Sequence, residues 1–397
     1  MTDCWGRDIH YLRLSVTDRC NLRCRYCMPE EGVTPVPHDQ VLTYEEMLEI
    51  VRALAGLGID RVRITGGEPL VRRDLTYLVA GLKAIPGIRW VGLTTNGILL
   101  SDQLSGLMQA GLDGVNISLD ALEPQVYQAI TRRDELARAL AGLEAARNTP
   151  GLKVKVNCVP TRENRSQWVP LAQLARSGPP LDVRFIQLMP IGCGRDMAGA
   201  DPQEVHTALE RAFGPASPVE TAGQEGPARL VAFPGFAGRV GFISAVSQPF
   251  CEGCNRIRIT PEGVVKPCLQ YDSDLSVRGL VRSGMGGFLL QAVLQEAIYQ
   301  KPRGHHFSRP DAPGDEHRTM NEIGGSRRVY QREKRDPEAG RGPGGICGRL
   351  GHPGGCPRRE MAPPGVAAVS GPGGGVPGPG SSGGSRGLWG EPVGGRL

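Results

Sequence analysis

From Ile9 to about Met189 the chain alternates short apolar runs with stretches of helical spacing. The runs predict strands over Ile9–Val16, Arg61–Thr65, Ile88–Thr94, Asp113–Leu119, Lys153–Val159 and Asp182–Leu188. Between the first two, Thr43 precedes Glu46 by three positions, and Met47, Leu48, Val51, Leu54 and Ala55 recur at helical spacing. A threonine that accepts from the N3 amide, while an N3 glutamate reaches back, is a capping box, so a helix starts there. Further helices are predicted over Asp74–Lys83, Asp102–Ala110, Glu135–Arg147 and Ser166–Arg176. Six strands separated by helices imply parallel pairing with right-handed crossovers, as a doubly wound sheet or a barrel.

Parity within the strands separates these two. Arg13 and Ser15 oppose Leu12, Leu14 and Val16; Arg61, Arg63 and Thr65 oppose Val62 and Ile64. Asn116, Ser118 and Asp120 oppose Val115, Ile117 and Leu119; Lys153, Lys155 and Asn157 oppose Val154, Val156 and Cys158. A parallel sheet covered on both faces reads as nearly continuous apolar runs. Here one face is polar or cationic in four strands, so helices cover the other face only and the polar one lines a wet, ligand-filled interior. The expected fold is α/β, an incomplete (βα)6 barrel rather than a closed eight-strand barrel with packed side-chain layers.

After Pro190 the rhythm changes to loops, a helix over Pro202–Phe213 and short strand-like pieces such as Arg239–Ser244, which predict a smaller C-terminal layer. One more apolar helix is expected over Gly287–Tyr299. The expected organisation is a partial barrel at 1–190, a second region at 191–325 and a disordered tail at 326–397. That 72-residue tail holds 21 Gly and 10 Pro and has no periodicity. It also carries 11 Lys+Arg against 5 Asp+Glu, which leaves 35 against 36 in residues 1–325. The overall charge of +5 is therefore the tail's, and gives no ground for nucleic-acid binding. No run of about 18 apolar residues suggests a membrane span, and Met1–His10 has no signal core, so a cytoplasmic location is expected.

Eleven cysteines include two close-set groups, a spacing that suits metal ligation in a reducing compartment better than a disulfide frame. Cys20, Cys24 and Cys27 form C-x3-C-x2-C directly after the first strand. Three thiolates so placed can grip three corners of a cuboidal iron–sulfur cluster and leave the fourth iron open to a small molecule. A zinc site short of one ligand, or three unrelated buried cysteines, are the plainer alternatives. The second strand runs into Gly66-Gly67-Glu68-Pro69, where two glycines permit close approach of a ligand and the glutamate can accept from an amine. Cys251, Cys254 and Cys268 form the second group, for which a zinc knuckle is the ordinary reading. No further Cys or His lies near it in sequence, and Asn255-Arg256-Ile257-Arg258 is cationic at period two. Of the other cysteines, Cys158 has the parity of a core residue.

The cysteine motif with Tyr26 before its last member, and the GGEP turn, resemble the radical S-adenosylmethionine (SAM) superfamily. The runs LRLSVTDRCNLRCRYCMP, RITGGEPLVRRD, TTNG, ISLDAL, VKVNCV, FIQLMPIG, CEGCNRIRIT and MNEIGG resemble, within it, the GTP 3′,8-cyclase (MoaA) family of molybdenum cofactor biosynthesis, over residues 8–325. The resemblance implies two [4Fe–4S] clusters, one on Cys20, Cys24 and Cys27 that binds SAM, the other on Cys251, Cys254 and Cys268 that contacts the guanine base. It implies SAM contacts at Tyr26, Gly67, Ser118 and Met189. GTP contacts fall on Arg13, Arg63, Thr94, Lys155, Arg256 and Arg258, with Arg184 as a further candidate. The implied reaction is a lyase-class cyclisation joining ribose C3′ to guanine C8. Its implied partners are an external one-electron donor and a downstream cyclic pyranopterin monophosphate synthase; no nucleic acid or membrane is expected, and the chain is read as a monomer or homodimer.

Two rivals stay open on sequence: another radical SAM enzyme with an auxiliary cluster, such as a peptide maturase, and a zinc protein with a nucleic-acid-binding tail. Metal analysis of anaerobically prepared protein separates the zinc rival: about eight iron and sulfide per chain are expected, and stoichiometric zinc excludes the two-cluster reading. The family typically stops at the glycines here numbered 324 and 325, and that end is thought to enter the active site. A chain that continues must also find a way out, so the tail is expected either to be an inert linker or to reduce activity. Truncation after Gly325 raises turnover in the second case; unchanged turnover excludes it.

Overall fold

A computed structural model of the chain describes residues 1–220, 226–284, 286–307, 315, 316 and 318–323. The expected disordered tail, with Gly324, Gly325, Cys347 and Cys356, lies outside the described residues.

All six expected barrel strands form: β1 (Tyr11–Ser15), β2 (Arg61–Thr65), β3 (Trp90–Thr95), β4 (Gly114–Ser118), β5 (Lys153–Cys158) and β6 (Asp182–Ile186). They lie side by side in chain order and every neighbouring pair is parallel. The crossovers run through helices α1 (Tyr44–Gly56), α2 (Leu75–Lys83), α3 (Leu100–Gln109), α4 (Pro124–Thr131), α5 (Leu136–Arg147) and α6 (Trp168–Gln173). The capping box that starts α1 is complete: the Glu46 amide donates to Thr43 Oγ1 at 3.2 Å, and the Thr43 amide to Glu46 Oε2 at 2.7 Å. Helix α4 has no counterpart in the sequence reading; it starts with Pro124 at its first position, where a missing N–H costs nothing. Helix α6 is shorter than expected and is entered through a 3-10 turn at Arg165–Gln167.

The smaller C-terminal region is continuous with the barrel. Past α7 (Pro202–Phe213) come β7 (Ser217–Pro218), β8 (Arg229–Ala232), β9 (Arg239–Ile243), β10 (Arg256–Ile259) and β11 (Val265–Lys266). Strand β10 pairs in parallel with the free edge of β1, and β9 with the free edge of β6. The whole is one sheet in the order β11-β10-β1-β2-β3-β4-β5-β6-β9-β8-β7. Helices α8 (Arg278–Arg282), α9 (Phe288–Tyr299) and α10 (Met320–Ile323) complete the described residues.

The core sits on the apolar-parity face of the strands. Leu12, Leu14, Val62, Ile64, Val115, Ile117, Val156 and Cys158 are all fully buried there. They belong to one cluster with Met47, Val51 and Leu54 of α1, Leu78 and Leu82 of α2 and Leu107 of α3. One-sided cover by helices is what the strand parity requires, since an alternating strand can bury only one of its two rows. The other row is left facing inward.

Candidate active site

Each inward-facing polar residue of the four alternating strands lines a single cavity of about 970 Å³: Arg13, Ser15, Arg61, Arg63, Thr65, Asn116, Ser118, Asp120, Lys153, Lys155 and Asn157. That volume is at the upper end for a small-molecule site. Tyr26, Thr94, Arg184, Met189, Arg256 and Arg258 line it too, as do Cys27, Cys251, Cys254 and Cys268. Cys20 and Cys24 share the loop of Cys27 without being part of the lining, and neither is Gly67.

The two cysteine groups stand at opposite ends of β1. The first follows its C-terminal end, while Cys254 lies just before β10, whose Arg256 and Arg258 are in register with Tyr11 and Arg13. Five residues of strand, or roughly 16 Å, therefore separate two ends of a shared hollow.

A dense set of backbone bonds holds the first cysteine loop. Its Arg23 and Arg25 amides donate to Thr131 and Ile130 carbonyls at 3.0 Å each, and Arg132 Nη1 donates to the Arg23 and Met28 carbonyls. Asn96, from the TTNG run, donates through Nδ2 to Asn21 Oδ1 at 2.7 Å. The GGEP turn is bound to the entry of the same loop: the Gly67 amide donates to Thr17 O at 2.7 Å and the Glu68 amide to Arg19 O at 2.8 Å. A Cβ on Gly66 would stand 2.6 Å from Thr17 O, and on Gly67 2.3 Å from Arg19 O. These glycines thus permit the close approach of the cysteine loop, and Gly66 also lines the cavity. Glu68 differs from expectation. Its buried carboxylate accepts from the Leu70 amide, Thr95 Oγ1 and the Asn96 amide, and burial pushes it up to about 7. It braces the turn and does not present itself to an amine in the cavity.

The thiols match cluster ligation in their chemistry. Burial pushes Cys20 up to about 11, with Glu68 adding to it, and pushes Cys24 and Cys27 well up, each further raised by its neighbours in the triplet. Three thiols pushed up in this way become thiolates together only with positive charge between them. In the second group burial and its partner thiols raise Cys251, whereas Cys254 is lowered because Lys301 and Arg256 outweigh its burial. Among the described residues no three Cys, His, Asp or Glu side chains are gathered closely enough to hold one metal ion. His305, far from the second group in sequence, comes beside it and donates its amide to Cys251 Sγ at 3.4 Å. Cys193, in the loop after Met189, adds to the raising of Cys27. Neither neighbour has a spacing that sequence reading could detect.

Between the triplets the wall is cationic. Among the described lining residues ten Lys and Arg side chains face two carboxylates, Asp120 and Asp182. Burial pushes Arg258 down to about 9, with Arg13 and Arg256 adding repulsion; burial likewise pushes Arg13 down to about 10. Arg13 Nε, Ser15 Oγ, Thr94 Oγ1 and Asn157 Oδ1 are buried without a protein hydrogen-bond partner. Orphaned polar atoms in one wall mark a place for a polar ligand.

Other predicted residues are already committed to the protein. Arg63 donates from Nε to Tyr11 Oη and from Nη1 to Leu93 O, both at 2.9 Å, and stacks 4.6 Å over Trp90. A Cβ on Gly92 would stand 2.0 Å from the Trp90 ring, so β3 needs a glycine there to seat the indole. Tyr26 Oη donates to Asp120 Oδ2 at 2.7 Å, and Asp120 Oδ1 accepts from the Val159 amide at 2.8 Å. Burial pushes Asp120 up to about 6. Parity pointed to Asp120, but its hold on Tyr26 spans 94 positions and leaves no local signal.

A one-sided parallel barrel with a three-cysteine loop at the C-terminal end of its first strand defines the class of radical SAM enzymes. The radical SAM superfamily model matches residues 14–175, and a second model, Molybdenum Cofactor Synthesis C, matches residues 181–307. The chain belongs to the GTP 3′,8-cyclase family. It is similar to proteins of that name from Clostridium perfringens (41% identity over 326 residues) and Pelotomaculum thermopropionicum (43% over 329), with 82% of this chain and 100% of each relative covered. The one from Heliobacterium modesticaldum is 44% identical over 330 residues at the same coverage. Among solved structures, Streptococcus suis SuiB bound to S-adenosylmethionine superposes with a TM-score of 0.52 at 15% identity, covering 76% of this chain and 74% of that one, a likeness of fold alone.

Gly67→Ala is expected to lift the first cysteine loop, because its Cβ meets backbone and not a yielding side chain. Iron in reconstituted protein should fall from about eight to about four per chain, the second cluster being retained. Iron content equal to that of the parent would show that the turn does not brace the loop.

Proposed function

We propose that this enzyme cyclises GTP to its 3′,8-cyclo-7,8-dihydro triphosphate with the phosphate chain held on the cationic wall and the base toward the second cysteine group. The observation that carries the reading is one cavity lined by Cys27 of the first group and by Cys251, Cys254 and Cys268 of the second, with a surplus of positive charge in the wall between them. When bound, a [4Fe–4S] cluster on Cys20, Cys24 and Cys27 together with SAM supplies one-electron, hydrogen-abstracting chemistry. Cys251, Cys254 and Cys268 would hold the second cluster.

The chain's own residues bind, orient and exclude water. Arg13, Arg256, Arg258, Lys155 and Arg184 take the triphosphate, whose charge relieves the repulsion among them, and guanidinium forks do so with defined geometry. Thr94 Oγ1 is a free partner for the same ligand. Arg63, fixed by Tyr11, Leu93 and Trp90, serves as a rigid wall of the pocket. Tyr26, turned by Asp120, and Ser118 and Met189 border the SAM side, while Gly67 acts through the loop. Tyr26 keeps its proton on Oη, donated to Asp120. Ile191, Phe307 and Ile323 form a buried apolar cluster with Met189 and Met320 packed against it, which keeps water from the SAM end. Anchoring the substrate by its phosphates leaves the ribose to be aligned by a group remote from the reacting carbon.

The electron donor, a cyclic pyranopterin monophosphate synthase as consumer of the product, a cytoplasmic setting and a monomeric or homodimeric state belong to this reading. No described helix is long and apolar enough to cross a membrane.

Anaerobic incubation with GTP, SAM and reductant, followed by product identification, tests it. Cys20→Ala should abolish both SAM cleavage and cyclisation. Cys268→Ala should leave some SAM cleavage while cyclisation falls at least tenfold; equal loss of the two would refute the division of labour between the triplets.

A further inference from the structure

A carboxylate in a chamber built for a polyanion works against binding, and one of the two here sits among the cations. Asp182 opens β6 and is 6% exposed. In register beside it stand Lys155 on β5 and Arg239 on β9. Arg239 forks it, Nε to Oδ1 at 2.9 Å and Nη2 to Oδ2 at 3.0 Å. Lys155 Nζ lies 3.9 Å and Arg184 Nη2 3.7 Å from the same Oδ2. Three cations from three adjacent strands thus share one acid, and all four line the cavity. The fork is bidentate and oriented, whereas the two longer contacts are loose enough to be given up to a stronger anion.

We propose that Asp182 is a positioning residue for the substrate's phosphate chain: it gathers Lys155, Arg184 and Arg239 into one array before the nucleotide arrives, and Arg239 is the array's fixed member. The inference rests on the reading that the cationic wall takes the triphosphate. Without the acid, the three neighbouring cations lose the anion they share and repel one another. With it, the array stands ready and gives up Lys155 and Arg184 as phosphate oxygens replace the carboxylate. Asp182 costs binding strength and supplies alignment. A role only in stability would supply both or neither.

The test is a split between affinity and coupling in the cluster-loaded full chain. For Asp182→Asn, GTP affinity measured by anaerobic calorimetry should stay within twofold or tighten up to tenfold, because the chamber loses one negative charge. Cyclised product per SAM cleaved should fall at least tenfold, and Asp182→Glu should restore part of it. Affinity for GTP lowered more than tenfold, with product per SAM cleaved unchanged, would overturn the proposal. Arg239→Gln removes the fork but keeps the acid, and serves should Asp182→Asn not fold. It is expected to lower the preference for GTP over guanosine about tenfold and to reduce coupling; parental values of both would overturn the proposal as well. If the parent enzyme itself binds guanosine as tightly as GTP, the phosphate-chain reading fails first, independently of the variants.

Discussion

Arg13 and Arg258 are in register on neighbouring parallel strands, both half-buried, and burial lowers the proton affinity of each guanidinium, with Arg13 adding to the effect at Arg258, and Arg256 and Arg63 adding to it at Arg13. Burying like charges side by side is costly unless an anion or ordered water completes the site. The fold accepts that cost because β1 and β10 are held by their opposite faces, where Leu12, Leu14, Ile257 and Ile259 are within 1% of full burial. The apolar row fixes the strands, and the strands fix the cations. A wall of this kind has little freedom to reorganise when a triphosphate enters, which is the physical meaning of a preorganised site.

The same register explains why two cysteine groups so far apart in sequence bound one hollow. Strand β10 is parallel to β1, so the segment preceding it must lie at the opposite end from the segment following β1. Cys254 and Cys27 are separated in that way by strand geometry and not by loop length. The two halves are also inseparable as a site. The barrel's edge strands β1 and β6 each need a partner, and the C-terminal region supplies both, β10 with its arginines and β9 with Arg239.

The parity of four strands was enough to read the inner wall, since each alternation is local and a single slip would have moved all its charges to the core. The cysteine triplets were equally legible because their spacing is short. The edge pairings of β9 and β10 were not, because strands of four or five residues joined through long loops leave no periodic trace of their partners. Asp182 was read only as the start of a strand, although Arg239, Lys155 and Arg184 gather around its carboxylate. Trp90 was missed for a related reason: its place depends on Gly92 and Gly114, on two strands whose register no local pattern reports.

Gly67 shows a different kind of limit. The residue type was read correctly as one that permits close approach, and the group that a side chain on it would meet is the carbonyl of Arg19. Sequence identifies that a backbone must come near; only the fold says whose. The distinction changes the chemistry assigned to the turn. A ligand-contacting Gly-Gly-Glu would act on the bound molecule, whereas Glu68, taking three donors from its own chain, acts on the loop that carries the cysteines. The placement of the first triplet then depends on hydrogen bonds buried behind it, and the geometry of the reactive end is set from outside the cavity.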